Sequence, residues 1–318
     1  MMSAVGNFTE KLIRGKSGPF EILPLPGAMG AEIRGLDLRA LDDAGFAILH
    51  RAYLDHLLLL LRGQRITDAD MVAVARRFGD FELPPVTAEK VEHSGAHPEV
   101  TVVSNVRVCG KPIGELGDGE VIWHSDYSFR PVPAGMRMLH AREVPPEGEG
   151  ANTEFRNMYA VWDSLPERLK QRLHGATIKH DTAYDTNRKL RRGAVATDDP
   201  RLGDGPDHPI VSTHPETGCN SLFLGRRLRH VVNGCTLEES DALLDELWAH
   251  AADERFGYSH PWREGDLVLW DNRCTIHRRG PFNPSARRVM HATQVKGHRP
   301  FEAPDAASRP PHPRARLF

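Results

Sequence analysis

The first eighty residues mix short apolar runs with stretches of helical spacing. Phe20–Leu25 is short and apolar, and Pro26-Gly27 closes it. Asp42–His56 has helical spacing, and Leu57–Arg62 then reads as a buried strand. Thr67-Asp68-Ala69-Asp70 reads as a helix start with acidic residues in its first turn. Met71, Val74, Ala75 and Phe78 follow on one helical face, and Gly79 is the expected C-terminal cap. Asn157–Leu173 carries Met158, Val161, Trp162 and Leu165, with a break at Pro166. Thr236-Leu237-Glu238-Glu239 is a capping box ahead of a stripe at Leu243, Leu244, Leu247, Trp248 and Ala251. Apolar stripes of this kind face a core.

The remainder alternates as short strands between Gly, Pro and Asp signals. They are expected at Val100–Ser104, Val121–Phe129, Gly135–Ala141, His208–Thr213, Asn220–Phe223, Asp266–Trp270 and Val289–Val295. Many short strands at irregular spacing predict a sandwich or barrel, not a doubly wound sheet. The expected class is therefore mainly β with flanking helices. Asn187–His208 is polar and rich in Arg, Asp and Gly, which predicts a mobile insertion at 187–208. From Pro300 the chain has prolines at 300, 304, 310, 311 and 313 and little periodicity. The expectation is one domain over 1–300 and a Pro-rich tail, 301–318, outside the core.

Composition narrows the function classes. In 318 residues, 41 Lys and Arg nearly balance 43 Asp and Glu, for a net charge of −2. Such a balance supplies no general field for nucleic acid or an anionic membrane. The longest wholly apolar run, Leu57–Leu61, is far short of the roughly 18 residues that cross a bilayer. Met1–Glu10 carries no basic-then-apolar leader pattern. The 4 cysteines have no paired close spacing, which fits a reducing cytoplasm and not a disulfide or Cys–zinc framework. There are 17 histidines, enough to prompt a search for a metal site.

The chemistry centres on Trp123-His124-Ser125-Asp126. In a strand the side chains alternate, so His124 and Asp126 would project from one face. An imidazole and a carboxylate side by side can take two adjacent positions around a metal. Two His and one carboxylate leave open positions and suit non-haem Fe(II). A His-x-Asp pair alone is common, and a structural hydrogen-bonded pair is its bland reading. The best source of the missing His is His277, after the apolar run Leu267–Trp270 and the polar Asp271-Asn272-Arg273. Further on, Arg288 offers a planar guanidinium suited to bidentate binding of a carboxylate.

These residues carry a resemblance. Trp123-His124-Ser125-Asp126, Trp270-Asp271-Asn272-Arg273, His277 and Arg288 are similar, in order and spacing, to the taurine dioxygenase and chlorophenoxyacetate dioxygenase family. Gly30-Ala31-Glu32-Ile33, Gly35-Leu36-Asp37-Leu38 and Arg62-Gly63-Gln64 extend the likeness, which runs from about Ile22 to Phe301. The resemblance implies a double-stranded β-helix, a jelly-roll core with helices outside. It implies Fe(II) held by His124, Asp126 and His277, with 2-oxoglutarate and O2 as cosubstrates. It also implies that Arg288 and Thr153 hold the distal carboxylate of 2-oxoglutarate. Thr153 lies in Gly150-Ala151-Asn152-Thr153, whose two middle positions depart from the family's Gly-Gly-Asp-Thr. Related halogenases lack the carboxylate ligand, so Asp126 favours hydroxylation of a small organic substrate with release of succinate and CO2. Homo-oligomers are common in the family. Two other readings compete: a metal-dependent hydrolase, which leaves Arg288 unexplained, and a catalytically silent metal-binding member.

The substrate side departs from the taurine enzymes. Their sulfonate-binding Arg follows Met-His, where this chain has Met290-His291-Ala292. Their Asn before the first His ligand aligns with Glu120. Asn105–Gly119, with Gly110, Gly114, Gly117 and Gly119, is expected to form a lid. Asn105, Arg107, Lys111, Glu120 and Ala292 are thus the candidate substrate positions, with Arg107 or Lys111 replacing the missing cation. Several neighbours are expected to do nothing chemical. Arg287 and the run Arg226-Arg227-Leu228-Arg229-His230 read as solvated, Cys274 as a small core residue, and His180, His214, His230 and His260 as turn or surface residues. His291 reads equally as a cavity or a core residue.

Overall fold

The computed structural model describes residues 15–16, 19–82, 97–116, 122–185, 188, 190–191 and 193–316. Glu120, the last residues of the expected lid (117–119) and Val121 lie outside them. The strands that position the site are β1 (Glu21–Pro24), β2 (Ala31–Arg34), β3 (Leu58–Leu61), β4 (Thr101–Ser104), β5 (Ala134–Glu143), β6 (Thr153–Asn157), β7 (Gly257–His260), β8 (Leu267–Asp271), β9 (Thr275–Arg279) and β10 (Val289–Lys296). The helices are α1 (Asp43–His56), α2 (Asp68–Arg76), α3 (Met158–Asp163), α4 (Glu167–Leu173) and α5 (Leu237–Ala251). The chain is mainly β with a few helices.

One large sheet runs in the order Gly15–Lys16, β1, β2, β3, β8, β5, β10, β4, Glu115–Leu116. A smaller sheet, β7-β6-β9, is antiparallel throughout. The large sheet separates two apolar clusters. On its outer side, Leu59, Leu61, Met136, Met138, Leu267 and Leu269 pack beneath α1 and α2. On its inner side, Leu58, Leu60, Leu139, Val268, Trp270, Met290 and Ala292 meet Phe155 and Ile276 of the smaller sheet. β3 is Leu at every position because both of its faces are covered.

Local chemistry sets the helix ends. Asp42 accepts from the Gly45 amide to start α1, and Leu57 ends it in the left-handed region at φ 65°, turning the chain straight into β3. Thr67 with Asp70, and Thr236 with Glu239, form reciprocal capping boxes for α2 and α5. Asn157 caps α3, and Pro166 separates it from α4 as expected.

Several expectations are corrected. α2 ends at Arg76 with Arg77 as its cap, so Gly79 lies beyond the helix. His208–Thr213 is two strands, Asp207–Pro209 and Val211–Thr213, which pair with different partners on either side of Ile210. Among the described residues of the expected strand at 121–129, only His124 forms a bridge. Past Asp126 the chain turns, with Tyr127 at φ 56°. The reason lies across the fold. Asn272 Oδ1 accepts from the Asp126 amide (2.7 Å), and its Nδ2 donates to the carbonyls of Asp126 (3.0 Å) and Ala134 (2.8 Å). Those bonds replace the strand ladder that Asp126 would otherwise need.

The end of the 187–208 segment is built into the body, and the tail differs from expectation. Residues 200–202 form a 3-10 turn, and the segment ends inside the core, where the His208 ring is buried against the Arg130 carbonyl at 2.9 Å. The Pro-rich end is strapped to the body. Thr213 donates to the Phe301 carbonyl, Asn220 Nδ2 to the Ala306 carbonyl, and His312 stacks on Tyr159 with ring centres 4.5 Å apart. Ala303, Ala306, His312 and Ala315 are buried by these contacts. Proline richness marks a segment that cannot join a ladder; it does not by itself expel the segment from the core.

Candidate functional site

Backbone register assembles the centre. His124 and His277 exchange amide-to-carbonyl bonds of 3.0 and 2.9 Å, and His277 is itself paired with Phe155 of β6. Cross-strand partners share a face, so both imidazoles point inward. Asp126 reaches the same point through the turn that Asn272 clamps. The nearest ligand atoms of His124, Asp126 and His277 lie within 4.8 Å of one another. Each Nε2 stands 3.6 Å from a different Asp126 oxygen. The three residues singled out in the sequence converge here, although the pleat of a strand is not what joins His124 to Asp126.

The electrostatics prepare the site for a cation. His124 Nδ1 lies 2.8 Å from the Ile122 carbonyl, which only accepts. The ring proton is therefore on Nδ1, and Nε2 keeps its lone pair for a metal. Burial, then the neighbouring His124, pushes His277 far below the ordinary histidine range and keeps it neutral. Burial alone would raise Asp126; Arg137 and the two imidazoles outweigh it and hold the carboxyl well below the usual range. Asp126 Oδ2 is buried without a hydrogen-bond partner. An imidazole oriented by Ile122, a neutral His277 and an ionised carboxylate with an unmet oxygen fit Fe(II).

Arg137 is a residue that sequence reasoning missed. Its Nη1 stands 3.4 Å from Asp126 Oδ2 and 2.7 Å from Gln294 Oε1. A charge in the middle of the apolar strand Ala134–Glu143 was the available signal, because a cation there must find an anion inside.

A second polar group lies along β6 and β9. Arg288 is buried, and burial, with the Arg279 cation beside it, pulls it down to about 9. Its Nε has no hydrogen-bond partner. Arg279, also unforeseen, is the cross-strand partner of Thr153, two residues beyond His277 on the same face of β9. Thr153 Oγ1 accepts from Trp262 Nε1 at 2.9 Å, which leaves the hydroxyl proton to be donated elsewhere. Arg279 and Thr153 are thus cross-strand neighbours, with Arg288 close enough to Arg279 to feel its charge.

The candidate substrate positions fare less well. Asn105 is committed to the backbone: Nδ2 donates to the carbonyls of Pro284 (3.2 Å) and Ala286 (2.8 Å), and Oδ1 accepts from the Arg288 amide (2.9 Å). It holds the approach to Arg288, with both Nδ2 hydrogens committed to backbone. Arg107 and Lys111 are exposed on a two-stranded hairpin, Arg107–Val108 with Lys111–Pro112. Arg107 donates to the Gly110 carbonyl. Ala292 is buried in the inner cluster opposite Leu139. Glu120 lies outside the described residues.

The bland assignments divide. Arg287 is exposed and pairs with Glu143, and Cys274 is a buried core residue. His291 faces outward to Asp68 at 2.7 Å. His180, His214, His230 and His260 are all buried, not surface residues. His214 and His260 are buried on aspartates, Asp271 and Asp266, each at 3.1 Å. Arg226 is likewise buried, contrary to a solvated face.

Comparison with known proteins agrees with this geometry. The family model described as "Taurine catabolism dioxygenase TauD, TfdA family" matches residues 21–294. The (S)-phenoxypropionate/alpha-ketoglutarate-dioxygenase of Sphingobium herbicidovorans is 34% identical over 295 residues, covering 88% of this chain and 96% of that protein. Pentalenolactone F synthase of Streptomyces arenae is 35% identical over 292 residues, covering 85% and 93%. The crystal structure of AAD-2 in complex with Mn(II) and N-oxalylglycine superposes with a TM-score of 0.70 at 30% identity, over 88% of this chain and 98% of that one. The chain belongs to the TauD/TfdA family and is an Fe(II)- and 2-oxoglutarate-dependent dioxygenase that uses O2 to oxidise a small organic substrate.

Proposed function

We propose that His124, Asp126 and His277 hold the Fe(II), and that Arg288 and Thr153, joined by Arg279, bind the distal carboxylate of 2-oxoglutarate. The large sheet and the β7-β6-β9 sheet, facing each other across the inner cluster, are the two halves of a double-stranded β-helix. The single observation that carries the metal assignment is the convergence of His124 Nε2, His277 Nε2 and the Asp126 carboxylate within 4.8 Å, with the His124 tautomer fixed by Ile122. When bound, iron and 2-oxoglutarate supply the oxidation and yield succinate and CO2.

The chain's own residues place and shield those groups. Arg137, itself bonded to Gln294, places its charge 3.4 Å from one Asp126 oxygen on the side of the large sheet. Trp270 packs edge-on against the His277 ring, with centres 4.8 Å apart, and excludes water from that side. Asn105 fixes the backbone that delivers Arg288. A hydrolase reading leaves the buried Arg288 without a task. Hydroxylation of a small organic acid, in a homo-oligomer acting in the cytoplasm, is the full reading. Aryloxyalkanoates head the candidates because of the similar phenoxypropionate enzyme, and taurine is disfavoured because Ala292 supplies no cation for its sulfonate.

The test is succinate formation from Fe(II), 2-oxoglutarate and O2 across a panel of small acids, above the substrate-free rate. Wild type should show it, and His277→Ala should not. Efficient sulfite release from taurine would overturn the substrate part of the reading.

A further inference from the structure

Past Asp126, the wall of the site carries charge that the chemistry above does not use. His124 is bridged on one side to His277 and on the other to Arg226. The same ladder continues at Ser125, whose amide donates to the Gly225 carbonyl at 2.8 Å. The register row is therefore Arg226, His124, His277, Phe155. Members of one row share a face, so Arg226 points to the same side as the metal-binding imidazoles. It stands next to His124 on the side away from β6, whereas Thr153 and Arg279 lie on β6 and β9. The two cationic sites are distinct.

Arg226 is only 2% exposed, yet its charge meets no counterion in contact among the described residues. Its Nη2 donates to two neutral acceptors, the carbonyls of Asp181 (2.8 Å) and Tyr184 (2.6 Å), and its Nε has no partner. The surrounding carboxylates are turned elsewhere or engaged. Asp181 accepts from the amides of Ala183 and Tyr184 and faces Arg229 at 3.5 Å. Asp181 and Asp185 act on Arg226 only at a distance, and burial, with Arg191 nearby, still pulls it down to about 10. A buried cation without a contact anion is costly, and an incoming anion relieves that cost. Phe129, three residues past Asp126, neighbours both Arg226 and Arg191, whose guanidinium carbons are 5.9 and 4.1 Å from the ring centre. An apolar ring beside a buried guanidinium suits a molecule with a carboxylate at one end and hydrocarbon or aryl next to it.

We propose that Arg226 binds the carboxylate of the primary substrate beside His124, with Phe129 and Arg191 lining the same wall. The enzyme then oxidises small organic acids at a carbon held near that carboxylate. This rests on the dioxygenase reading of the centre and assigns the missing substrate cation to the strand next to His124, not to the hairpin at Arg107 and Lys111.

The test measures binding, apart from turnover. Protein loaded with Mn(II) and N-oxalylglycine is titrated with phenoxyacetate and with its uncharged amide, phenoxyacetamide. Wild type should bind the acid about 10–150-fold more tightly, the range for a charge-assisted contact. Arg226→Gln should erase that preference while N-oxalylglycine binding holds. Arg226→Lys keeps the charge without the fork and should retain part of the preference, which guards against a folding defect in the first variant. Equal affinity for acid and amide in wild type, binding of neither, or a full preference in Arg226→Gln would overturn the proposal. Loss of Mn(II) or N-oxalylglycine binding in wild type would instead defeat the reading of the centre. Arg107→Ala and Lys111→Ala should leave the preference intact.

Discussion

Two histidine clusters sit close together in this fold. His124 and His277 have ring centres 4.3 Å apart, and so do His180 and His230. Both pairs are buried or nearly so. The first pair has a carboxylate between its Nε2 atoms and one ring oriented by a carbonyl. The second has His208 and Phe223 as further ring neighbours. Both nitrogens of His180, Nε2 of His230 and Nδ1 of His208 lack partners. The adjacent Asp181 turns to backbone amides and to Arg229. Gly225 fits between because a Cβ there would collide with the His180 ring, and its φ of 66° suits glycine. Spacing of imidazoles alone therefore does not make a metal centre. Carbonyls orient rings in both clusters, Ile122 for His124 and Leu224 and Arg130 for His230 and His208, so what sets the first apart is the carboxylate between its rings.

Asp126→Ala breaks the first cluster and carries the largest expected effect. It removes the charge that both rings face, so substrate-coupled succinate should vanish and Fe(II) affinity should collapse. His180→Phe removes the central ring of the second cluster. It should leave Fe(II) affinity unchanged and shift only thermal stability. Calorimetric titration of Fe(II) under anaerobic conditions, run on both variants, separates the two. Full turnover by Asp126→Ala would defeat the metal assignment.

Arg288→Ala comes next. It deletes one of the two buried guanidinium groups near Thr153 and should weaken 2-oxoglutarate about 10–150-fold, for a charge-assisted contact of about 1.5–3 kcal/mol. Titration of the metal-loaded enzyme with 2-oxoglutarate reads it directly. Thr153→Val should cost less, since it removes one neutral donor. An unchanged 2-oxoglutarate requirement in Arg288→Ala would shift the role to Arg279, which occupies the neighbouring register position.

The difference between the clusters also explains what could be read from the sequence. His124, Asp126, His277 and Arg288 were legible because their order and spacing carry a family pattern. The helices at 43–56, 68–76 and 237–251 were legible because caps and stripes are local. What joins Asp126 to His124 was not local. Asn272, nearly 150 residues away, dictates the turn, and no period of two reports it. Arg279 was in principle readable from its i, i+2 relation to His277. Arg226 was not, because a basic run looks solvated until the His124 bridge is known. The buried end of the chain was misread for a similar reason: its contacts with Thr213, Asn220 and Tyr159 are all distant in sequence.

Acid sharpens the contrast in stability. Burial holds His180 and His230 far below the usual histidine range, and it holds His140, His298 and His312 at about 4. In the unfolded chain these rings regain ordinary values near 6.5. Below that pH the unfolded state binds protons that the folded state refuses. Their contribution is therefore intact above about pH 6.5 and is lost as pH falls towards 4, at up to about 1.4 kcal/mol per pH unit for each ring. Thermal melts between pH 7 and 4.5 on the metal-free protein should show the slope, and His180→Phe should flatten it. A wild-type melting temperature independent of pH across that window would contradict the neutral state of the second cluster.

The smallest predicted effect concerns Asn105, a candidate substrate position in the sequence. Its side chain makes three bonds to backbone, two from Nδ2 to the carbonyls of residues 284 and 286 and one into Oδ1 from the Arg288 amide. All three fall on the segment that enters β10, so their common effect is to fix where Arg288 begins. Asn105→Ala should lower stability by about 1–2 kcal/mol, since part-buried bonds to neutral groups contribute about 1 kcal/mol each and water can replace some of them. It should raise the KM for 2-oxoglutarate a few-fold while leaving discrimination between substrate acids untouched. Asn105→Asp is the sharper variant. It keeps the acceptor for the Arg288 amide and loses the donors, so it should spare the 2-oxoglutarate KM more than the stability. A change in substrate preference with an unchanged 2-oxoglutarate KM would return Asn105 to the substrate wall and remove it from the support of Arg288.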